Sequence, residues 1–189
     1  QASPANIVAD GDDANYIFFT SGSTGTPKAV LGKHKSLSHF IHWETKELGI
    51  TAEERVAQIS SFSFDASLRD IFLPLINGAT LCLPDQGMIA DPAALLRWLQ
   101  TSEISIAHMV PTVCRNLIKE AAAATIRLPH LRYMMLAGEQ LYKRDVNLWR
   151  ETFGTQTTLI NLYGATESTL VKSFYRVGDV EGDPNEVLS

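Results

Sequence analysis

The chain has 189 residues, 45% hydrophobic and 20% charged, with a formal net charge of -5. This is the composition of a folded globular chain, long enough for one domain or part of a larger one, and it excludes a disordered tail. The negative balance argues against the basic face that a nucleic acid or an anionic membrane surface would require. Any anionic ligand must therefore be held locally, by backbone amides or a few placed cations. No apolar run reaches the ~20 residues that cross a bilayer. Gln1-Ala2-Ser3-Pro4 carries neither a basic nor an apolar leader, which points to a cytoplasmic protein and to a chain cut from something longer.

Taken in chain order, residues 16–20 form a short β-rich run that breaks into a Gly/Ser/Thr loop. Residues 36–48 place Leu37, Phe40, Ile41 and Leu48 near helical spacing, with Gly49 as the stop. A strand is predicted over 56–60, a helix over 65–76 ended by Asn77-Gly78, and a buried strand over 79–83 ended by Pro84. Asp91-Pro92 has the cap and first-turn residues of a helix that runs to about Thr101. Strands over 104–110, 132–136 and 157–161 alternate with helices over 111–123 and 141–153, and residues 170–177 read as a last strand. The tail, 178–189, is acidic and turn-rich. Such alternation predicts an α/β fold: a mostly parallel sheet with helices on both faces. Ligands in such folds sit beyond the carboxyl ends of the strands, which directs attention to the loops after Phe19, Leu136 and Ile160. Cys82 and Cys114 lie within apolar runs and read as buried thiols, outside any metal-type spacing. His34, His39 and His42 cluster near one helix without further ligands and read as surface or interface residues.

The loop Thr20-Ser21-Gly22-Ser23-Thr24-Gly25-Thr26-Pro27-Lys28 holds five hydroxyls, two glycines and one lysine. Glycines let backbone amides turn toward a ligand, hydroxyls add donors, and Lys28 adds a point charge, a set suited to a polyphosphate. It is not a Walker loop, because the Lys lies after Pro27 and before Ala29. By composition alone, such a loop is more often a plain flexible turn; its place straight after an apolar strand favours the phosphate reading.

The run from Tyr16 to Val30 resembles the phosphate-loop signature of the adenylate-forming superfamily of acyl-CoA ligases, luciferases and peptide-synthetase adenylation domains. Three further segments resemble that superfamily in its order: Phe64-Asp65-Ala66-Ser67, Ala137-Gly138-Glu139-Gln140-Leu141 and Asn161-Leu162-Tyr163-Gly164-Ala165-Thr166-Glu167. Ala29, Ala137 and Ala165 depart from the usual Gly, Gly and Pro. The resemblance covers essentially the whole chain. It implies that residues 1–189 are the central part of an amino-acid adenylation domain of a nonribosomal peptide synthetase, without its C-terminal subdomain.

Carried over residue by residue, the resemblance implies ATP contacts from Thr20, Ser21, Gly22, Ser23, Thr24, Gly25, Gly138, Glu139, Asn161, Tyr163 and Gly164. Thr166, Glu167 and Lys28 would act on the phosphates, with Glu167 as the Mg²⁺ ligand, a hard oxygen donor suited to that ion. Tyr163 can stack on an adenine, and Asn161 can bond its edge. The amino-acid pocket would be lined by Asp65, Ala66, Arg69, His108, Met135, Ala137, Leu162, Leu170 and Val171. Asp65 read blandly is a helix cap; by resemblance it holds the substrate's α-ammonium. If Arg69 and His108 both face the pocket, a polar or acidic side chain fits. The implied reaction joins an amino-acid carboxylate to AMP, and the implied partners are the phosphopantetheine of a carrier domain and a condensation domain. The aspartate that binds the ribose and the mobile subdomain with its lysine are expected beyond Ser189, so residues 1–189 alone are expected to adenylate poorly. Two alternatives stay open: an acyl- or aryl-acid ligase, disfavoured by Asp65, and a non-catalytic ATP-binding fragment, disfavoured by Lys28, Thr166 and Glu167.

Overall fold

The computed structural model describes residues 9–21, 25–85 and 87–188. Gly22, Ser23 and Thr24 of the phosphate-type loop lie outside the described residues.

Strands β1 (Ala14–Thr20) and β2 (Lys28–Lys33) pair antiparallel as a hairpin separate from the main sheet. No strand is predicted after the loop from sequence, where Val30 simply closes the loop signature. In the fold Val30 and Leu31 pair with Phe18 and Ile17. Tyr16 lies opposite Gly32, and its ring fills the space a Cβ at Gly32 would need. Ala29 sits in extended backbone opposite Phe19, where alanine is as suitable as the usual glycine.

The main sheet has the order β4-β3-β5-β6-β7-β8. Strands β3 (Arg55–Ala57), β4 (Thr80–Cys82), β5 (Ile106–Met109), β6 (Tyr133–Leu136) and β7 (Thr158–Tyr163) are parallel, and β8 (Ser173–Arg176) returns antiparallel to β7. Successive strand residues face opposite sides. Val56, Ile106, Met135 and Ile160 pack in the core beneath α1 (His34–Leu48) and α2 (Ala66–Ile76). Ala57, Ala107, Met134 and Leu159 pack beneath α3 (Pro92–Thr101), α4 (Pro111–Ala124) and α5 (Lys143–Phe153). Helices thus cover both faces, as the alternation predicted. The strand expected as buried over 79–83 is instead the sheet edge, with Thr80 and Leu83 exposed.

Local chemistry sets the helix ends. Gly49 ends α1 in the left-handed region, φ 59°, and its N–H donates to the Thr45 carbonyl. The Asp91 carboxylate accepts from the Ala93 and Ala94 N–H groups (3.0 and 3.1 Å), and Pro92 opens α3. Asp91→Ala should lower stability by about 1 kcal/mol, read as a lower urea midpoint at unchanged slope. The tail folds back onto the start of α5: Lys143 Nζ donates to Glu186 (2.6 Å), and the Leu188 N–H to the Leu141 carbonyl (2.8 Å).

Both cysteines are buried. Burial, reinforced by the nearby Asp145 carboxylate, pushes the Cys114 thiol up to about 12. Little thiolate then exists at pH 8, and the thiolate is the reactive form. A maleimide at pH 8 should label Cys114 only after denaturant is added, which mass spectrometry of the labelled peptide would show.

Candidate functional site

A cavity of about 520 Å³ opens at the carboxyl ends of β3, β5, β6 and β7. Its wall brings together Ile59 and Ser60 after β3, the start of α2, Met109 and Val110 after β5, Ala137 to Glu139 after β6, and Gly164 to Thr166 after β7. Sequence segments about 100 residues apart therefore meet in one place, as parallel strands require. A second groove, about 630 Å³, lies between α1 and β8 and meets the first at Val171.

Asp65 occupies the residue before α2, the position of a cap, but it does not cap. Its backbone is helical (φ -60°, ψ -25°), it makes no side-chain cap bond, and its buried Oδ2 has no hydrogen-bond partner. The bland reading of Asp65 thus fails on geometry, and its carboxylate is left on the cavity wall. Arg69 follows one helical turn later on the same wall.

Behind Arg69 lies a buried group of charges from three elements: Glu44 on α1, Arg69 and Asp70 on α2, and His108 on β5. Arg69 stands 4.0 Å from Glu44, and His108 Nε2 is 3.8 Å from the same carboxylate and 3.0 Å from the Met135 sulfur. His108 Nδ1 lies 2.9 Å from Asp70 Oδ1, without hydrogen-bond alignment, while Asp70 Oδ2 accepts from the Ser60 N–H (3.1 Å). Arg69 and His108 face the cavity; Glu44 and Asp70 lie behind them. Buried charges persist only when paired or awaiting a partner. Glu44 and Asp70 are absent from the set expected from sequence. The signal was present in α1, where Leu37, Phe40, Ile41, Glu44 and Leu48 share one buried stripe. A glutamate at a core position of that stripe marks a buried charge needing a counter-charge.

The other expected pocket residues divide. Ala66, Ala137, Leu170 and Val171 line the cavity. Met135 and Leu162 do not: both are buried in the core beneath α1 and α2, on the same sheet face as His108 but packed below the cavity surface. Met135 touches the site only through His108.

The nucleotide-type residues surround the same opening. Tyr163 is 76% exposed, its ring face free. Asn161 donates its side-chain amide to the Leu188 carbonyl (2.8 Å), so here it anchors the tail. Gly138 takes φ 82°, which a side chain would strain. Glu139 precedes α5 but does not cap it; it reaches across to the N-terminus of α4. There it accepts from the Thr112 N–H (2.9 Å) and hydroxyl (2.6 Å) and from Arg115 (3.2 Å). A carboxylate at a helix N-terminus is stabilised by the unpaired amides, but the helix is the preceding one.

After β7 the chain makes a tight loop closed by the Lys172 N–H donating to the Tyr163 carbonyl (2.8 Å). Thr166–Ser168 form a single 3₁₀ turn, and Ala165 before it is extended (φ -142°, ψ 153°), a conformation open to alanine. Thr169 and Leu170 both take left-handed backbone, φ 64° and 63°. For non-glycine residues this holds strain of about 1–3 kcal/mol each, of the kind stored at functional sites. A Cβ on Gly164 would overlap the Leu170 carbonyl.

The hairpin reaches this loop. The Tyr16 hydroxyl donates to Thr169 Oγ1 (3.4 Å), and the Thr20 hydroxyl to Glu167 Oε1 (3.5 Å). Lys28 pairs with Thr20 across the hairpin. Thr20, Lys28, Thr166 and Glu167 thus gather beside the cavity mouth, with Ser21 and Gly25 flanking the undescribed stretch. Among the described residues, no three His, Cys, Asp or Glu side chains come together as a metal site, and no helix is long and apolar enough to cross a membrane.

Comparison with known proteins agrees with this arrangement. Over 179 residues the chain is 35% identical to L-2-aminoadipate reductase of Saccharomyces cerevisiae, covering 94% of this chain and 13% of that protein. It is 35% identical over 170 residues to the nonribosomal peptide synthetase GRA1 of Gibberella zeae, covering 90% of this chain and 2% of that protein. The adenylation domain AlmE of Vibrio cholerae, solved with glycyl-adenosine-5'-phosphate, superposes with a TM-score of 0.82 at 30% identity, over 96% of this chain and 34% of AlmE. The chain therefore spans a small part of its relatives' length. The sequence model of the AMP-binding enzymes matches residues 2–187, and with the parallel sheet and the loops gathered at its carboxyl edge, this chain belongs to the AMP-binding enzyme family.

Proposed function

We propose that the protein containing this chain activates an amino acid as its aminoacyl-AMP, and that residues 1–189 supply the central part of the domain that does so. The observation that carries this reading is Asp65: a non-capping carboxylate without a hydrogen-bond partner among the described residues, on the wall of a cavity that Thr166 also lines, with Glu167, Thr20 and Lys28 on the adjoining turn and hairpin. A fatty or aryl acid has no α-ammonium to occupy that carboxylate.

In the proposed step, one oxygen of the amino-acid carboxylate attacks the α-phosphorus of ATP. A phosphorus–oxygen bond forms, the bond to the β-phosphate oxygen breaks, and pyrophosphate leaves with the electron pair. The protein's share is alignment and stabilisation of charge, not covalent chemistry. Asp65 holds the ammonium by a charge-assisted bond. Ala66, Ala137, Leu170 and Val171 exclude water around the substrate. Lys28 and the Thr20 to Gly25 loop, with its hydroxyls and glycines, would hold the β- and γ-phosphates, and Thr166 would donate to the α-phosphate. Tyr163 offers its exposed face to the adenine, with Gly138, Glu139 and Gly164 shaping the turns against the nucleoside. Asn161 contributes by fixing the strand end on which Tyr163 stands. Glu167 fits Mg²⁺: it is a single exposed carboxylate, and Mg²⁺ is commonly held by one or two carboxylates together with substrate phosphates and water. Bound there, the ion would neutralise the charge that develops on the phosphates.

We further place the protein in the cytoplasm, within a larger synthetase. A carrier domain's phosphopantetheine thiol would take the aminoacyl group from AMP, and a condensation domain would use it. The likeness to an aminoadipate reductase favours a second fate for the activated carboxyl, reduction in place of condensation, after the same first step.

Amino-acid-dependent ATP–pyrophosphate exchange by the whole adenylating protein tests the reading. Exchange with one or a few amino acids, lost in Glu167→Ala, is expected. Exchange driven only by fatty or aryl acids would move the protein among the acyl and aryl ligases. A folded protein that binds ATP without any exchange would be a non-catalytic module.

A further inference from the structure

We infer that the amino acid taken by this site carries an acidic side chain, whose carboxylate is received by Arg69; this rests on the activation reading above. Arg69 is 3% exposed, yet its guanidinium forms no hydrogen bond among the described residues. Its one ionic neighbour, Glu44, stands at 4.0 Å, too far for a hydrogen bond. A guanidinium has five donors in a planar fork, stays charged in any protein, and matches a carboxylate two-to-two. A buried arginine on a cavity wall with its Nε unpaired is a group awaiting an anion, since buried donors are otherwise satisfied.

The placement sets the shape of that anion. Asp65 and Arg69 are four residues apart at the start of one helix, so their Cα atoms are separated by about 6 Å along the axis. Asp65 is half-buried and Arg69 lies deeper. An amino acid whose ammonium meets Asp65 therefore directs its side chain down the helix toward Arg69. The gap suits a short aliphatic chain ending in a carboxylate. Ala66, Ala137 and Val171 give the same cavity wall apolar surface, and Arg69 is the one side chain cationic at all pH values among the described residues that line it, with His108, Ser60 and Ser61 as further polar groups.

The carboxylates near Arg69 do not fill this role themselves. Glu44 and Asp70 lie behind the wall, spaced from the cavity by Arg69 and His108. They hold the cation in place and limit the desolvation it suffers. A substrate with a basic side chain would meet Arg69 first and be repelled. An amide could accept from the fork at one oxygen only, and would leave part of the fork's donors unpaired.

The test is pyrophosphate exchange by the whole adenylating protein with aspartate, glutamate and 2-aminoadipate against asparagine, glutamine, leucine, methionine and lysine. One acidic amino acid should exceed its amide counterpart by roughly 100-fold in kcat/KM, since a site built around a polar group rejects the analogue lacking it. Arg69→Met should lose most of that ratio. Should the variant fold poorly, binding of the wild-type protein to glutamyl- and glutaminyl-sulfamoyl adenosine decides the point, with the glutamyl compound expected to bind at least roughly tenfold tighter. Exchange confined to neutral or basic amino acids, or equal binding of the two analogues, would overturn the acidic assignment and leave amino-acid activation standing. Absence of exchange with every amino acid, together with no binding of either analogue, would overturn both.

Discussion

Asp65→Asn is expected to lower amino-acid-dependent exchange by roughly 100-fold or more in kcat/KM without lowering the melting temperature. Truncating one partner of a buried charge pair costs about 2–5 kcal/mol of binding, which accounts for the fall. The stability side of the prediction comes from the geometry. Asp65 makes no cap bond to α2, and its Oδ2 is buried without a partner. Folding gains nothing from the charge and bears its desolvation, so removing it is neutral or raises the melting temperature by a few degrees, as at many functional residues. Asparagine keeps the size and helix-start preference of aspartate, so only the charge changes. A melting temperature several degrees lower, with activity lost in proportion to folded protein, would make Asp65 a structural residue.

Gly164→Ala should reduce exchange by a comparable factor, through displacement and not through lost chemistry. The added Cβ would overlap the Leu170 carbonyl and crowd Val171. Neither atom belongs to a flexible side chain, so the loop carrying Thr166 and Glu167 must move. That loop is already strained at Thr169 and Leu170 and has little room to yield. A displacement of about 1 Å at groups aligned on a reacting phosphate can cost about 100-fold in rate. The contrast with Asp65→Asn is diagnostic: the glycine variant should also lose thermal stability, and should weaken ATP binding along with turnover. Normal activity in Gly164→Ala would mean that the loop relaxes freely and that its tight closure has no part in positioning Glu167.

The boundaries of α1, α3 and α4 were legible because their signals are local. Gly49 can take a left-handed φ, Asp91 can accept from the next amides, and Pro111 can open a helix, whatever surrounds them. The parallel strands were legible from short apolar runs separated by helices, and the likeness of four segments to one superfamily supplied the kind of site. Hairpin β1–β2 was not legible. Its second strand carries Lys28 and Lys33 at its ends and pairs only with β1, so its apolar centre is too short to stand out from the preceding loop.

What the sequence by itself determined, then, is the alternation of elements, the family likeness and the identity of most residues at the cavity, because each of these depends on chemistry within a few residues of chain. Only the tertiary structure decided which of those residues face the cavity. Met135 and Leu162 lie covered in the core while His108, on the same sheet face and in register with Met135, reaches the cavity wall, a difference that only the packing of α1 and α2 over the sheet sets. Glu139 served α4 in place of α5 because β5 and β6 lie side by side and bring their following loops together. Glu44 and Asp70 joined Arg69 and His108 because α1, α2 and β5 pack on one face of the sheet. Buried charge is neutralised by whatever lies near in space, and nearness in space between residues 44, 69 and 108 is a property of the packed layers alone.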